Sequence, residues 1–210
     1  MTTLLLAGAT GLVGRAVLRQ ALDDPRITAV IAPTRRPLER SPKLENPVVD
    51  YEHLPGSAPW WAVHAVVCTL GTTIKAAGSQ AVFRRVDHDY VLGIARHARA
   101  AGARSFALNS ATGANARSSI FYNRVKGEAE ESVRACGYPS LTLVRPSLIG
   151  GPREERRPAE ALGLAILGPL GPILPRGWRV VPHESLARAL LDAAIEARPG
   201  VRVIPSAALV

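Results

Sequence analysis

Tyr122 and Lys126 stand four residues apart in a 210-residue chain that carries only three lysines and four tyrosines. On a helix this spacing puts both side chains on one face. The ammonium then eases release of the phenol's proton and can also hold a ribose hydroxyl. Upstream, Ser110 follows the apolar run Phe106–Leu108, where its hydroxyl can bond the carbonyl oxygen on which charge develops. Such a trio supplies a proton and not a hydride, so the chemistry calls for a nicotinamide cofactor.

The cofactor's place is legible at the start of the chain. Leu4–Ala7 reads as a buried strand that runs into Gly8-x-x-Gly11-x-x-Gly14, and Val13, Val17, Leu18, Ala21 and Leu22 then repeat at helical spacing. Gly8 allows a tight exit from the strand, Gly11 lets backbone amides approach an anion, and Gly14 brings the helix close to the sheet. A pyrophosphate at a helix N-terminus satisfies this arrangement. A second β-branched run, Ile27–Ala32, leads into Thr34-Arg35-Arg36-Pro37, where a dinucleotide fold selects its adenosine ribose. An acidic residue there would favour NAD, whereas Arg35 and Arg36 can clamp the 2′-phosphate of NADP. Pro47–Asp50 reads as a third strand, with the Asp50 carboxylate at its end to meet the adenine amino group.

The elements that hold these residues alternate. His64–Leu70 is an apolar fourth strand entering the small-residue turn Gly71-Thr72-Thr73, which can pass close to a bound cofactor. Gln80–Ala101 is a long helical pattern ending at Gly102, followed by a strand at Ser105–Leu108, a helix from Phe121, a strand at Leu141–Val144, a closing helix at Glu184–Ala197 and a last strand at Val201–Ile204. This order predicts an α/β Rossmann fold, a doubly wound parallel sheet with helices on both faces, as one domain over 1–210. The Gly-, Pro- and Arg-rich segment 147–182, with an apolar helix near Ala159–Leu167, suits a small substrate-capping lid.

Composition narrows the classes. The formal charge is +9, yet the 26 basic residues are mostly scattered arginines without interleaved aromatics, so an anionic small ligand explains the charge better than nucleic acid. No apolar run is long enough for a bilayer and no basic segment precedes Leu4, which leads to the expectation of a cytoplasmic protein, monomeric or homodimeric. Cys68 and Cys136 have neither metal-ligand nor disulfide spacing and read as inert. Asp87 and Asp89, two apart, face different sides and read as caps or ion-pair partners. Glu128, Glu130 and Glu131 read as a solvated helix face.

Together, the glycine spacing, Ser110 and Tyr122-x-x-x-Lys126 resemble the short-chain dehydrogenase/reductase superfamily in its extended and atypical branches. Within it, Leu70-Gly71-Thr72-Thr73, Val86-Asp87-x-Asp89-Tyr90-Val91-Leu92, Tyr122-x-x-Val125-Lys126-Gly127-Glu128 and Arg145-Pro146 resemble the Tat-interacting-protein group of NADP-binding reductases. The resemblance implies Thr10, Gly11, Leu12 and Val13 at the pyrophosphate, Arg35 and Arg36 at the 2′-phosphate, and Leu70 and Gly71 beside the adenosine half. It implies catalytic roles for Tyr122 and Lys126, and closure over the cofactor by Ile149 and Arg157. The chain departs from the superfamily in one respect: many members carry an active-site asparagine in the long helix, and here Asp87 and Asp89 appear instead. The expected function is NADP(H)-dependent oxidation or reduction of a small carbonyl/alcohol pair. Two other readings use the same cofactor: a non-catalytic redox sensor that controls a protein partner, and nucleotide-sugar epimerase or dehydratase chemistry.

Overall fold

The computed structural model describes residues 1–151 and 179–210. The expected lid lies largely outside them, as do Arg157 and the helix expected near Ala159–Leu167.

Nine strands and six helices carry the argument among the described residues: β1 (Thr2–Ala7), α1 (Leu12–Asp23), β2 (Ile27–Ile31), β3 (Leu44–Glu45), β4 (Ala65–Cys68), α2 (Ile74–Ala77), α3 (Gln80–Arg84), α4 (Tyr90–Ala100), β5 (Ser105–Asn109), α5 (Phe121–Ala135), β6 (Ser140–Arg145), β7 (Ile149–Gly150), β8 (Val181–Pro182), α6 (His183–Glu196) and β9 (Gly200–Pro205). Seven strands form one sheet in the order β3-β2-β1-β4-β5-β6-β9, every neighbouring pair parallel. This is the doubly wound Rossmann arrangement expected from the alternation of elements.

Two core layers explain the unbroken apolar strands. On one face Leu4, Leu6, Val67, Ala107 and Val144 pack against Val13, Val17 and Ala21 of α1 and against Leu186, Leu190 and Leu191 of α6. On the other, Leu5, Ala7, Val66, Phe106 and Leu108 meet Val91, Ile94 and Ala98 of α4 and Val133 of α5. A strand covered on both sides has no polar face to alternate with. Among the described residues no helix is long and apolar enough to cross a membrane.

The third strand is not where the sequence pattern put it. β3 is Leu44–Glu45, paired with Val30 and Ile31, and Pro47–Asp50 contributes only a bridge between Thr34 and Val48. Pro47 has no N–H to continue a ladder. The long helical pattern at 80–101 is also interrupted, since Arg85–Asp89 is wound as a π-helix between α3 and α4.

The first and last helices are tied by ions as well as by packing. Asp24, at the end of α1, accepts from Arg26, and Arg26 also donates to Asp192 of α6 at 2.7 Å. The hydrogen bonds from Arg26 outweigh burial and hold the Asp24 carboxyl down to about 2. An Asp in the unfolded chain titrates near about 4. The folded value is the lower one, so this stabilisation is complete above about pH 4 and is lost as pH falls towards about 2. Thermal melts should therefore show the wild type losing stability through that window. The Asp24→Asn variant, already weaker at neutral pH, should lose less, and equal losses in both proteins would refute the linkage.

Candidate active site

Strand order reverses between β1 and β4, and a crevice opens at the carboxyl ends of such strands by topology alone. β1 delivers the chain into Gly8, which sits at φ +89°. A Cβ there would lie 2.7 Å from Thr69 Oγ1 and 2.8 Å from the Leu70 nitrogen. Gly14 lays α1 onto this bend so closely that its Cβ would fall 2.0 Å from the Gly8 carbonyl oxygen. Between them, the Gly11 amide donates to the Gly8 carbonyl at 3.0 Å, while a Cβ on Gly11 would meet nothing nearer than 3.5 Å. The three glycines thus differ in kind: two are required by the protein's own packing and one keeps the crevice open. No side chain caps α1, so the Leu12 and Val13 amides lack intrahelical acceptors and are available to an anion.

Two cavities of about 300 Å³ each share Thr10, Gly11, Thr69, Leu70, Gly71 and Thr72 and extend to either side of the turn. One side is bounded by Pro33, Thr34, Arg35, Tyr51 and Tyr90. The other is bounded by Leu12, Val13, Asp87, Asn109, Ser110, Tyr122, Lys126 and Ile149. Sequence positions more than a hundred residues apart therefore meet in one cleft of two lobes, and Ile149 lines the second. Gly14 stands behind the wall as packing. Arg35 is exposed at the rim, and Arg36 follows it in the same bend, with its carbonyl accepting from the buried Thr34 hydroxyl at 2.6 Å. Asp50 lines neither lobe. Its exposed carboxylate is occupied by the His53 ring at 2.9 Å and the Glu52 amide, because the bend replacing the expected strand turns Tyr51 inward instead. The Tyr51 hydroxyl donates to the Pro33 carbonyl at 2.8 Å, and its ring lies 5.4 Å from that of Tyr90, tilted by 33°. Sequence reasoning missed Tyr51, although an aromatic beside a predicted adenine contact was a signal.

Helix α5 carries the Tyr122 and Lys126 side of the cleft. Gly127 lets this helix pass against the loop before it, since a Cβ there would fall 2.1 Å from the Ala116 nitrogen. The Tyr122 ring is held at 5.5 Å by that of buried Phe83. Lys126, one turn on, is buried, and its Nζ lies 2.8 Å from Asp87 Oδ1. Burial alone would depress the ammonium, but the Asp87 carboxylate and then the Tyr122 phenol outweigh it, so Lys126 titrates above its ordinary value. Asp87 thus fulfils the ion-pair reading and lies inside the site. Asp89 pairs instead with His88, at 2.6 Å. Cys68, beneath the loop, has its thiol pushed up to about 12 by burial, in keeping with an inert residue.

Ser110 lines the same lobe, but its proton is committed elsewhere. Its hydroxyl donates to Glu130 Oε1 at 2.5 Å, and Arg145 grips the same carboxylate through Nε at 2.9 Å and Nη2 at 2.5 Å. A carboxylate can only accept, so Ser110 meets the cavity as an acceptor. The solvated-face reading of the acidic cluster is corrected here. Glu130 is 2% exposed, Glu128 pairs with Arg84, and Glu131 alone is exposed.

No protein-family model matches the chain. Protein fmp52, mitochondrial, of Emericella nidulans is 32% identical over 95% of this chain and 90% of its own length. Protein HTATIP2 of Rattus norvegicus is 36% identical over 90% of this chain and 80% of its own.

The chain belongs to the Fmp52 and HTATIP2 family.

The Tat-interacting-protein resemblance read from Lys126-Gly127-Glu128 and Leu70-Gly71-Thr72-Thr73 is thereby confirmed for this family member. The expectation of a cytoplasmic protein is overturned, because several fungal relatives are named as mitochondrial proteins. Composition and the lack of a long apolar run carry no information on compartment. Among solved structures, the Fmp52-like chain superposes on MoeE5 in complex with UDP-glucose and NAD with a TM-score of 0.73, at 19% identity over 96% of this chain and 74% of that one. It also matches a putative NAD-dependent epimerase/dehydratase from Bacillus halodurans, with a TM-score of 0.69, at 16% identity over 99% and 97%. These likenesses establish the Rossmann fold.

Proposed function

We propose that this family member binds NADP(H) across the glycine turn and interconverts a small carbonyl and its alcohol, with Tyr122 as the proton donor. The observation that carries the reading is the meeting, in one cleft, of uncapped helix amides and the Tyr122–Lys126 pair. The pyrophosphate would lie against Leu12 and Val13, in a cradle where Gly8 and Gly14 admit no side chain. Tyr51 and Tyr90 would flank the adenosine, with Leu70 and Gly71 beneath it. Arg35, with Arg36 next to it, would clamp the 2′-phosphate, and no acidic side chain replaces them at the end of β2. Bound there, the nicotinamide supplies a hydride to the carbonyl carbon.

The protein's own groups do the rest. Tyr122 gives its proton to the carbonyl oxygen. Lys126, paired with Asp87 at 2.8 Å, would offer its remaining donors to ribose hydroxyls. Ser110, as an acceptor, orients a hydroxyl and does not stabilise an oxyanion.

The cofactor half is tested by titrating NADPH and NADH into wild type and Arg35→Ala. Loss of one charge-assisted contact should weaken NADPH about tenfold or more and leave NADH nearly unchanged. Equal weakening of both would remove Arg35 from the 2′-phosphate. Net consumption of NADPH over a carbonyl panel separates this chemistry from epimerisation, which returns the cofactor unchanged, and from a regulatory protein that only binds it.

A further inference from the structure

Helices α3 and α4 would be a single helix but for the π-helical turn Arg85–Asp89, in which the Tyr90 amide donates to the Arg85 carbonyl five residues back. Such a turn disturbs the regular ladder and recurs where a side chain has to be re-aimed. The side chain it carries inward is Asp87, 1% exposed on a face otherwise made of Phe83, Val91, Ile94 and Ala98. A carboxylate buried among apolar groups is costly unless its oxygens are occupied. Both are. Oδ1 lies 2.8 Å from Lys126 Nζ, and Oδ2 accepts from the Thr72 amide at 2.8 Å. The loop between β4 and α2 crosses this pair at Gly71, where a Cβ would stand 3.2 Å from Asp87 Oδ1 and 3.4 Å from Lys126 Nζ. One carboxylate therefore joins the π turn, the loop after β4 and the functional face of α5.

We propose that Asp87 is the positioning residue of this site: it keeps Lys126 as an ammonium and fixes both that group and the Leu70–Thr72 loop against the nucleotide. The nucleotide half rests on the function proposed above, whereas the hold on Lys126 does not. The groups facing Lys126 are Asp87 from the π turn, Tyr122 from its own helix and Cys68 from β4. With Asp87 neutralised, burial is left as the dominant influence, and a buried ammonium gives up its proton more readily.

The chain's three lysines allow the ionisation to be read directly. In protein labelled at lysine Cε with ¹³C, the Lys126 signal is identified by its loss in Lys126→Met and followed through pH. In the wild type it should titrate above the ordinary lysine value of about 10.4, and in Asp87→Asn below it. In parallel, NADPH affinity from about pH 7 to about pH 10 should stay level in the wild type and fall about tenfold or more in Asp87→Asn over the range where Lys126 loses its charge.

An unchanged Lys126 titration in folded Asp87→Asn overturns the proposal, and so does an NADPH affinity that follows pH identically in both proteins. Should Asp87→Asn fail to fold, the wild-type titration decides: a Lys126 value at or below about 10.4 overturns the proposal and a higher one supports it. If the wild type binds no NADPH while Lys126 shifts as stated, the cofactor reading fails and the hold of Asp87 on Lys126 stands.

Discussion

Tyr122→Phe is expected to lower turnover by about 10²- to 10⁴-fold, the usual worth of a positioned general acid, while NADPH binds almost as before. The separation follows from where the hydroxyl sits. The ring is held by Phe83 at 5.5 Å, and phenylalanine keeps that contact. Lys126 is held by Asp87 and not by the phenol, with Nζ 2.8 Å from the carboxylate. Removing the hydroxyl therefore deletes the proton and leaves the wall of the cleft standing. Steady-state rates with NADPH and an active carbonyl, set beside a binding titration of the same variant, check this. Retention of most of the turnover would mean that another group delivers the proton. Ser110 is the neighbour to suspect least, since its hydroxyl donates to Glu130.

The second large effect concerns the turn. In Gly14→Ala the new methyl group would meet the Gly8 carbonyl oxygen at 2.0 Å, backbone against backbone, with no flexible side chain to give way. Forced overpacking of this kind costs about 3 kcal/mol, which in a chain of this size lowers the melting temperature by roughly 6–12 °C. It also pushes α1 off the bend, so nucleotide affinity should collapse with it. Gly11→Ala is the informative contrast. Its Cβ has 3.5 Å of clearance from the protein, so the fold should tolerate it while the space needed by a pyrophosphate is lost. Melting curves and NADPH titrations of the two variants should thus diverge. A Gly11→Ala protein that binds like the wild type would empty the turn of its proposed ligand.

The sheet was readable because burial on both faces leaves strands as plain apolar runs. Thr2–Ala7, Ala65–Cys68 and Ser105–Asn109 all emerged within a residue or two of the expected spans. The third strand was not, since two residues of pairing at Leu44–Glu45 are too short to leave a pattern, whereas the more β-branched Pro47–Asp50 imitates one. In the site, spacing revealed Tyr122 and Lys126 because a helix makes neighbours of residues four apart. What spacing cannot reveal is which buried charge faces which. Asp87 was legible as a cap or ion-pair partner, but the partner itself, Lys126, lies on another helix. Glu130 and Arg145 meet across α5 and β6, so neither the clamp nor the direction of the Ser110 hydrogen bond has a local signature.

The layer behind the glycine turn is sewn from opposite ends of the chain. Val13, Val17 and Ala21 of α1 are covered by Leu186, Leu190 and Leu191 of α6, and Glu184 and Asp192 take hydrogen bonds from Arg19, Gln20 and Arg26. During synthesis the amino-terminal strand and helix emerge from the ribosome long before residues 183–196 exist. A nascent chain thus carries the glycine bend on an uncovered helix, and its apolar stripe waits for a cover made much later. On the function proposed above, cofactor capture would wait for that cover, and chaperones have long access to the segment proposed to hold the pyrophosphate.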